Sequence, residues 1–423
     1  MPIPEYVQVH QVVVTVQQAE NATNGEAPIN LTSPRHEEEK TRLLSFLSRS
    51  NGKWDAHHPR HRLLDALHDY VRYEERQTAE LGKWRRLYKS ASAAQKKLLE
   101  REVGYTAKLD AVAALIAHNQ RLCDAIVENG LRFYAVDRAE LDDHIRLREA
   151  DGKAADRVSV SQALKHYVRD WAAGGRGERD AAFPCILQAL QSLFPDRLAD
   201  GEPPQPAVKV LLPGSGVGRL GHEIAALSFE VTSNEWSMYM NLAYRYLEAN
   251  PRVASSNAHP FIDNWSHHAT TADMFRGVTF PDRAIDPFAV LLVEGDFTNA
   301  FTSTKNNRRQ HFDVIVTHFF IDTARNLMAY LDTIHALLPV GGYWVNFGPL
   351  LYGTGPYVQL SLEEIVSVVF AMGFEFVDAP EVCGDLTFEN QKIRGREAVY
   401  GFNERALVKN AYQAQAWVMR KTR

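Results

Sequence analysis

The stretch Val208 to Trp236, VKVLLPGSGVGRLGHEIAALSFEVTSNEW, constrains the fold more than any other part of the chain. Val208 to Leu212 is an apolar run closed by Pro213 and Gly214, the pattern of a strand buried on both faces of a parallel sheet. Glycines at 214, 216 and 218 let the backbone turn through positive φ and let a ligand approach where a Cβ would collide. A helix over roughly Gly218 to Leu227 follows, and its first N–H groups have no partner within the helix. Phe229 to Ser233 reads as a second strand. Glu235 stands just past its end, 19 residues after Gly216, where a carboxylate accepts hydrogen bonds from both hydroxyls of a ribose. Strand, glycine turn, helix and acid in that order predict a nucleoside-cofactor site, with adenosine as the expected half of the ligand.

Downstream segments keep the alternation. Ala289 to Glu294, Asp313 to Thr317 and Gly342 to Phe347 read as further strands, and Thr323 to Leu338 carries apolar residues at helical spacing before stopping at Pro339. Ser361 opens another helix with the capping pattern S-L-E-E, and Phe374 to Val377 and Ala416 to Met419 close the sheet. The predicted fold class is α/β, a doubly wound, mostly parallel sheet preceded by an N-terminal helical region, with ligands at the carboxyl ends of the strands. Asp296 and Phe297 follow the third strand, where a carboxylate takes an adenine amino group and a ring packs on the base. His318 follows the fourth, either lining the crevice or as a satisfied buried histidine. The G-x-G-x-G loop followed by Arg219 departs from the G-x-G-x-x-G/A of dinucleotide sites, and with these later segments it favours S-adenosylmethionine over a nicotinamide cofactor.

Composition removes other classes. Lys+Arg 47 against Asp+Glu 52 gives a formal charge of −5, so no basic field favours nucleic acid. No apolar run approaches a membrane span, and the first residues lack a basic-then-apolar secretion signal. Cys123, Cys185 and Cys383 are widely spaced, without a disulfide framework or zinc pattern, which fits a reducing compartment and a cytoplasmic, and also nuclear, location. His57, His58 and His61, like His267 and His268, lack partner ligands at zinc spacing and read as solvated loop histidines, so no metal is expected. From His36 to about residue 158 apolar residues recur at helical spacing, as in Leu63, Leu64, Leu67, Tyr70 and Val71. These helices are expected to cover one side of the catalytic domain and to offer a face for a homodimer. Residues 1–35 read as a mobile leader.

The pieces PGSGVGRLGHEIA, NEWS, GDF, FFIDTARN, LDTIHALLPVGGYWVNFGPLLY and VRDW resemble the carnosine N-methyltransferases, a branch of the S-adenosylmethionine-dependent class I methyltransferases with a Rossmann-like fold. The resemblance covers roughly Ser159 to the C-terminus, which makes 159–423 the expected methyltransferase domain. It implies methylation of the imidazole of carnosine, β-alanyl-histidine, to give anserine, with a small histidine-containing dipeptide as partner.

Carried over residue by residue, the resemblance assigns the cofactor to Arg169, Gly214, Glu235, Asp296 and Phe297, with Gly216 in the same loop. His166 stands where the family has glutamine, and it still donates one hydrogen bond. Asp322 matches the dipeptide-binding aspartate, Tyr412 a C-terminal tyrosine, and Tyr400 a further aromatic. Gly353 replaces a histidine that the family places after GPLLY, which leaves open another imidazole or peptidyl-histidine acceptor and a non-catalytic cofactor-binding scaffold. Chemically, Asp322 is expected to accept the N–H of the substrate ring, leaving the other nitrogen free to attack. Bland readings stand beside these: a helix-capping Asp322, ordinary half-buried tyrosines, and an Arg169 ion pair with Asp170.

Overall fold

The computed structural model describes residues 33–195, 207–301, 311–353, 355–388 and 391–423. Its strands in chain order are β1 (Lys209–Pro213), β2 (Glu230–Glu235), β3 (Ser256–Ala258), β4 (Val278–Phe280), β5 (Val290–Glu294), β6 (Val314–His318), β7 (Tyr343–Gly348), β8 (Phe374–Val377), β9 (Asp385–Leu386), β10 (Arg394–Val399) and β11 (Ala411–Lys421). The main sheet runs β5-β2-β1-β6-β7-β11-β10-β9, with β8 also on β11. Its first five strands are parallel, because each short aliphatic run is followed by a crossover helix. β11 then pairs antiparallel with β7, bringing Trp417 opposite Asn346. The chain order reverses between β1 and β6, so the ends of these two strands open the crevice where such sheets hold ligands.

Among the described residues, eight α-helices precede the sheet: α1 (Pro34–Phe46), α2 (Pro59–Val71), α3 (Tyr73–Tyr88), α4 (Ala93–Val103), α5 (Tyr105–Phe133), α6 (Arg138–Ala150), α7 (Arg157–Trp171) and α8 (Arg176–Leu193). Six more lie between strands: α9 (Arg219–Ala225), α10 (Met238–Ala249), α11 (Thr271–Phe275), α12 (Phe297–Ala300), α13 (Leu327–Leu337) and α14 (Leu362–Met372). One sheet face packs on Ile186 and Leu190 of α8 and Ile224 of α9, and the other on Leu331 of α13 and Val369 of α14. A third core joins Leu64, Leu67, Ile126 and Tyr167 of the N-terminal helices to Leu242 and Leu247 of α10. The helical region therefore covers one side of the sheet domain, as its amphipathic spacing predicts.

Buried charge locks that docking. Glu294, at the end of β5 and 1 % exposed, accepts the single Tyr134 O–H, shared between its two oxygens at 3.0 and 2.9 Å, and an Arg245 Nε bond at 3.0 Å. A buried carboxylate with that many donors is compensated, and removing one partner would strand it. At the sheet edge, His36 and Arg35 of α1 bond the carbonyls of Val290 and Val231.

Several expectations need correction. The helix expected from Thr323 starts at Leu327, because Ile321–Thr323 forms a separate 3-10 turn and the Asn326 side chain caps α13 through Ala329 N. Cys185 and Cys383 form a disulfide with Cα atoms 4.7 Å apart, although 198 positions separate them. Tertiary packing of α8 against the Glu381–Cys383 turn makes that pair, so cysteine spacing no longer speaks for a reducing compartment. Residues 1–32 of the expected leader lie outside the described residues, and Pro34–Arg35 open α1. Among the described residues no helix is long and apolar enough to cross a membrane.

Candidate active site

The glycine turn after β1 has the geometry its sequence requires. Gly214 has φ +67°, and a Cβ there would collide with the Phe320 ring. Gly216 has φ +58°, and its missing Cβ would face Arg169 Nη2 and His166 Nδ1, each at 3.5 Å. Trp171 Nε1 donates to Val217 O at 2.6 Å, clamping the turn onto the end of α7. Helix α7 thus lays its last turn across the glycine loop, which no local pattern in the sequence announces.

Glu235 organises the loop from the other side. Its Oε2 accepts Gly216 N, and its Oε1 accepts Trp236 N and Ser237 N, all at 2.8 Å. Burial pushes its carboxyl above the usual range, while these N–H groups oppose the shift. A carboxylate offers about four lone-pair directions. Three are taken by backbone donors, which leaves room for one further donor where the sequence reading allots two ribose hydroxyls.

On α7, Arg169 Nε donates to Asp170 Oδ1 at 2.7 Å, so the bland ion-pair reading is present. The same guanidinium also donates to Tyr400 Oη at 3.0 Å and to His166 Nδ1 at 2.9 Å. Burial, reinforced by Arg169, lowers the His166 pKa to about 3. A neutral His166 bonded to a donor-only arginine must accept at Nδ1, so its proton sits on Nε2. That leaves one donor, as expected for a histidine in the glutamine position.

At the ends of β5 and β6, Asp296 caps α12 through Thr298 N at 2.8 Å, and Phe297 packs edge-on against Phe320 and Tyr330. His318 is held neutral, its pKa lowered to about 3 by burial and then by Arg169, and its buried Nε2 has no hydrogen-bond partner among the described residues. Phe319 adopts φ 50°, a left-handed conformation rare for an aromatic residue and a mark of an over-determined site. Its ring stacks on Tyr400 at 4.9 Å and meets Tyr412 at 6.0 Å.

His166, Arg169, Gly214, Gly216, Glu235, Asp296, Phe297, His318 and Tyr400 all line one cavity of about 620 Å³ at the carboxyl ends of the parallel strands. Asp322 and Tyr412 are not among its lining residues. Asp322 is 5 % exposed, its Oδ2 accepts Leu351 N at 2.9 Å, and burial pushes its carboxyl above the usual range. It thereby holds the segment that leads to Gly353, whose absent Cβ faces open space. Asp322 caps no helix: it lies in the 3-10 turn and Asn326 caps α13.

Sequence reasoning missed Asp170, Trp236, Phe319, Phe320, Arg325 and Tyr330, all in the cavity wall. Asp170, Trp236, Phe319, Phe320 and Arg325 sit inside the motifs VRDW, NEWS and FFIDTARN, from which only single residues were drawn. Tyr330 carried no signal beyond helical spacing. Trp236 is held from outside by Arg62 of α2, whose guanidinium lies 3.7 Å from the indole centroid and donates to Trp236 O at 2.8 Å.

The residues fit an adenosyl cofactor: a loop with room for a ligand against the backbone, a partly committed acid beyond β2, and an acid and ring beyond β5. A family profile described as carnosine N-methyltransferase matches residues 148–423. The carnosine N-methyltransferase of Rattus norvegicus is 29 % identical over 368 residues, 84 % of this chain and 82 % of that protein. That of Schizosaccharomyces pombe is 34 % identical over 261 residues, 57 % of this chain and 68 % of that protein. That of Dictyostelium discoideum is 29 % identical over 352 residues, 77 % of this chain and 68 % of that protein. Since the matched stretch 148–423 is well over half of the chain and takes in the whole cavity wall, the chain belongs to the carnosine N-methyltransferase family.

Proposed function

We propose that this protein methylates an imidazole nitrogen of carnosine, with S-adenosylmethionine as methyl donor. The observation that carries the reading is the convergence of the glycine loop, Glu235, Arg169, His318 and Tyr400 on one cavity at the strand ends. When bound, S-adenosylmethionine supplies an electrophilic methyl group on a sulfonium, so the protein has to bind, align and exclude water. Gly214, Gly216, Glu235, Asp296 and Phe297 are the residues to hold the adenosyl part, and His166 and Arg169 lie over the loop to meet its remainder.

Charge in the cavity supports a cationic donor. Both histidines in the wall are neutral, and the Arg169 charge is offset by Asp170. Arg325 forms no ion pair among the described residues and lies in the wall, fit to meet the dipeptide carboxylate. The Phe319 and Tyr400 rings, stacked in the wall, give an imidazole flat apolar neighbours, and Tyr412 packs edge-on against both.

A free imidazole has a pKa near ~6.5, so much of the substrate is neutral at pH 7 and little deprotonation is needed. Asp322 is proposed to accept the ring N–H, which sets the tautomer and stabilises the imidazolium as the other nitrogen gains its methyl. The Leu351 N–H bond fixes that carboxylate, and the adjacent Thr323 lies in the cavity wall. The test is Asp322→Asn: kcat should fall by roughly 10²–10³-fold with unchanged cofactor affinity by calorimetry. A near-normal kcat would remove Asp322 from the reaction, and no methyl incorporation into carnosine by the unaltered protein would overturn the function itself.

A further inference from the structure

We propose that His61, Asp65 and His144, far from the methyl-transfer cavity in sequence, form a binding site for one divalent transition-metal ion of the zinc class. His61 and Asp65 lie one turn apart on α2, so their side chains share a helix face, and His144 reaches them from α6. The candidate ligand atoms all lie within 4.8 Å of one another. Asp65 Oδ1 is 2.8 Å from His144 Nε2, and Oδ2 is 3.3 Å from His61 Nδ1. Zinc bonds of ~2.0–2.1 Å in tetrahedral array put neighbouring ligand atoms about 3.3 Å apart, so only small side-chain shifts separate this cluster from a coordinating one.

Two imidazoles and one carboxylate suit zinc or a neighbouring transition metal rather than calcium or magnesium, which take oxygen ligands. His61 Nδ1 is buried, and among the described residues it has only the long 3.3 Å approach to Asp65 Oδ2, a contact that an ion between the two atoms would replace. A cavity of about 390 Å³, with both histidines in its wall, gives an ion a path in and a place for a water as fourth ligand.

The charges around the cluster are mixed. Arg148 Nε lies 2.9 Å from Asp65 Oδ1, and Arg49, Lys153, Asp143 and Asp151 line the same cavity. Arg148 and His144 crowd Oδ1, so Oδ2 is the oxygen for an ion, and Arg148 orients the carboxylate as outer partners of metal ligands do. All three ligands precede residue 148, where the family match begins, so this site belongs to the helical region and not to the methyl-transfer machinery. Its effect would be to pin α6 to α2.

The experiment uses the full chain, stripped with chelator and titrated with cobalt(II) and zinc(II). The unaltered protein should show the visible bands of four-coordinate cobalt and bind one more equivalent of zinc than His61→Gln or His144→Gln. Comparing variants removes background from the rest of the 16 histidines. Zinc should also raise the melting temperature of the unaltered protein and not of either variant. Absence of the cobalt bands in the unaltered protein, or equal zinc stoichiometry in it and a folded variant, would overturn the site and leave an ion-pair network only. Should His144→Gln fail to fold, the cobalt spectrum of the unaltered protein and the half-buried His61→Gln still decide.

Discussion

Replacing Glu235 by glutamine should separate the two tasks that this carboxylate performs. In the structure its oxygens hold three backbone N–H groups at 2.8 Å, from Gly216, Trp236 and Ser237. Glutamine keeps one oxygen for Trp236 and Ser237, but its NH₂ then faces the Gly216 N–H, donor against donor. An unpaired buried donor costs about 1–3 kcal/mol, and loss of charge weakens the other two bonds, for a total near ~2–4 kcal/mol. The remaining lone pair of Oε2 is the one proposed to meet the ribose. A hydrogen bond to a charged group contributes about 1.5–3 kcal/mol, so cofactor affinity should drop roughly 10- to 150-fold. Calorimetric titration with S-adenosylmethionine and with S-adenosylhomocysteine reads the second effect, and urea unfolding reads the first. Glu230→Gln on the same strand is the control, since its ion pair with Arg35 is partly exposed and contributes under about 1 kcal/mol. If Glu235→Gln is folded and binds within threefold of the unaltered protein, Glu235 is only a loop brace and the ribose assignment is wrong.

Arg62→Ala should raise the cofactor Kd roughly three- to tenfold with kcat nearly unchanged, because Trp236 loses a stacking cation and a carbonyl bond; an unchanged Kd would mean Trp236 stands unaided. For His318 the folded pKa of about 3 lies below the ordinary 6.5, so its neutral burial stabilises the fold above pH 6.5 and that stability is lost as pH falls toward 3. Acidification from pH 7 to 5.5 should therefore cost His318→Gln about 1 kcal/mol less than the unaltered protein in urea unfolding, and equal losses would show that His318 titrates in the fold as it does in the unfolded chain. Gly353→His adds a side chain at a position where a Cβ meets no atom of the described residues within 4 Å. Stability should stay within about 0.5 kcal/mol. The KM for carnosine should fall roughly three- to tenfold as one hydrogen bond is gained, and an unchanged KM would exclude position 353 from substrate contact.

What the chain determined by itself was local. The apolar runs that became β1, β2, β5, β6 and β7, the glycines at 214 and 216, and the acids at 235 and 296 each announce their place, because strand burial, positive φ and a strand-end carboxylate are decided within a few residues. Arg169 entered through the motif VRDW and His166 through the family position three residues before Arg169, since nothing local tells a helix ending at Trp171 that it will lie over a loop at Gly216. The start of α13 moved because the Asn326 cap outcompeted an apolar period that continued upstream. Only tertiary structure decided the rest. It tied the Asp322 carboxylate to the Leu351 N–H, strained Phe319 to stack on Tyr400, and joined Cys185 to Cys383. It also set His144 beside a turn of α2 whose histidines read as solvated. The physical reason is range: periodicity and turn chemistry act over a few residues, whereas these pairings depend on where whole helices and strands settle when their apolar faces are buried together.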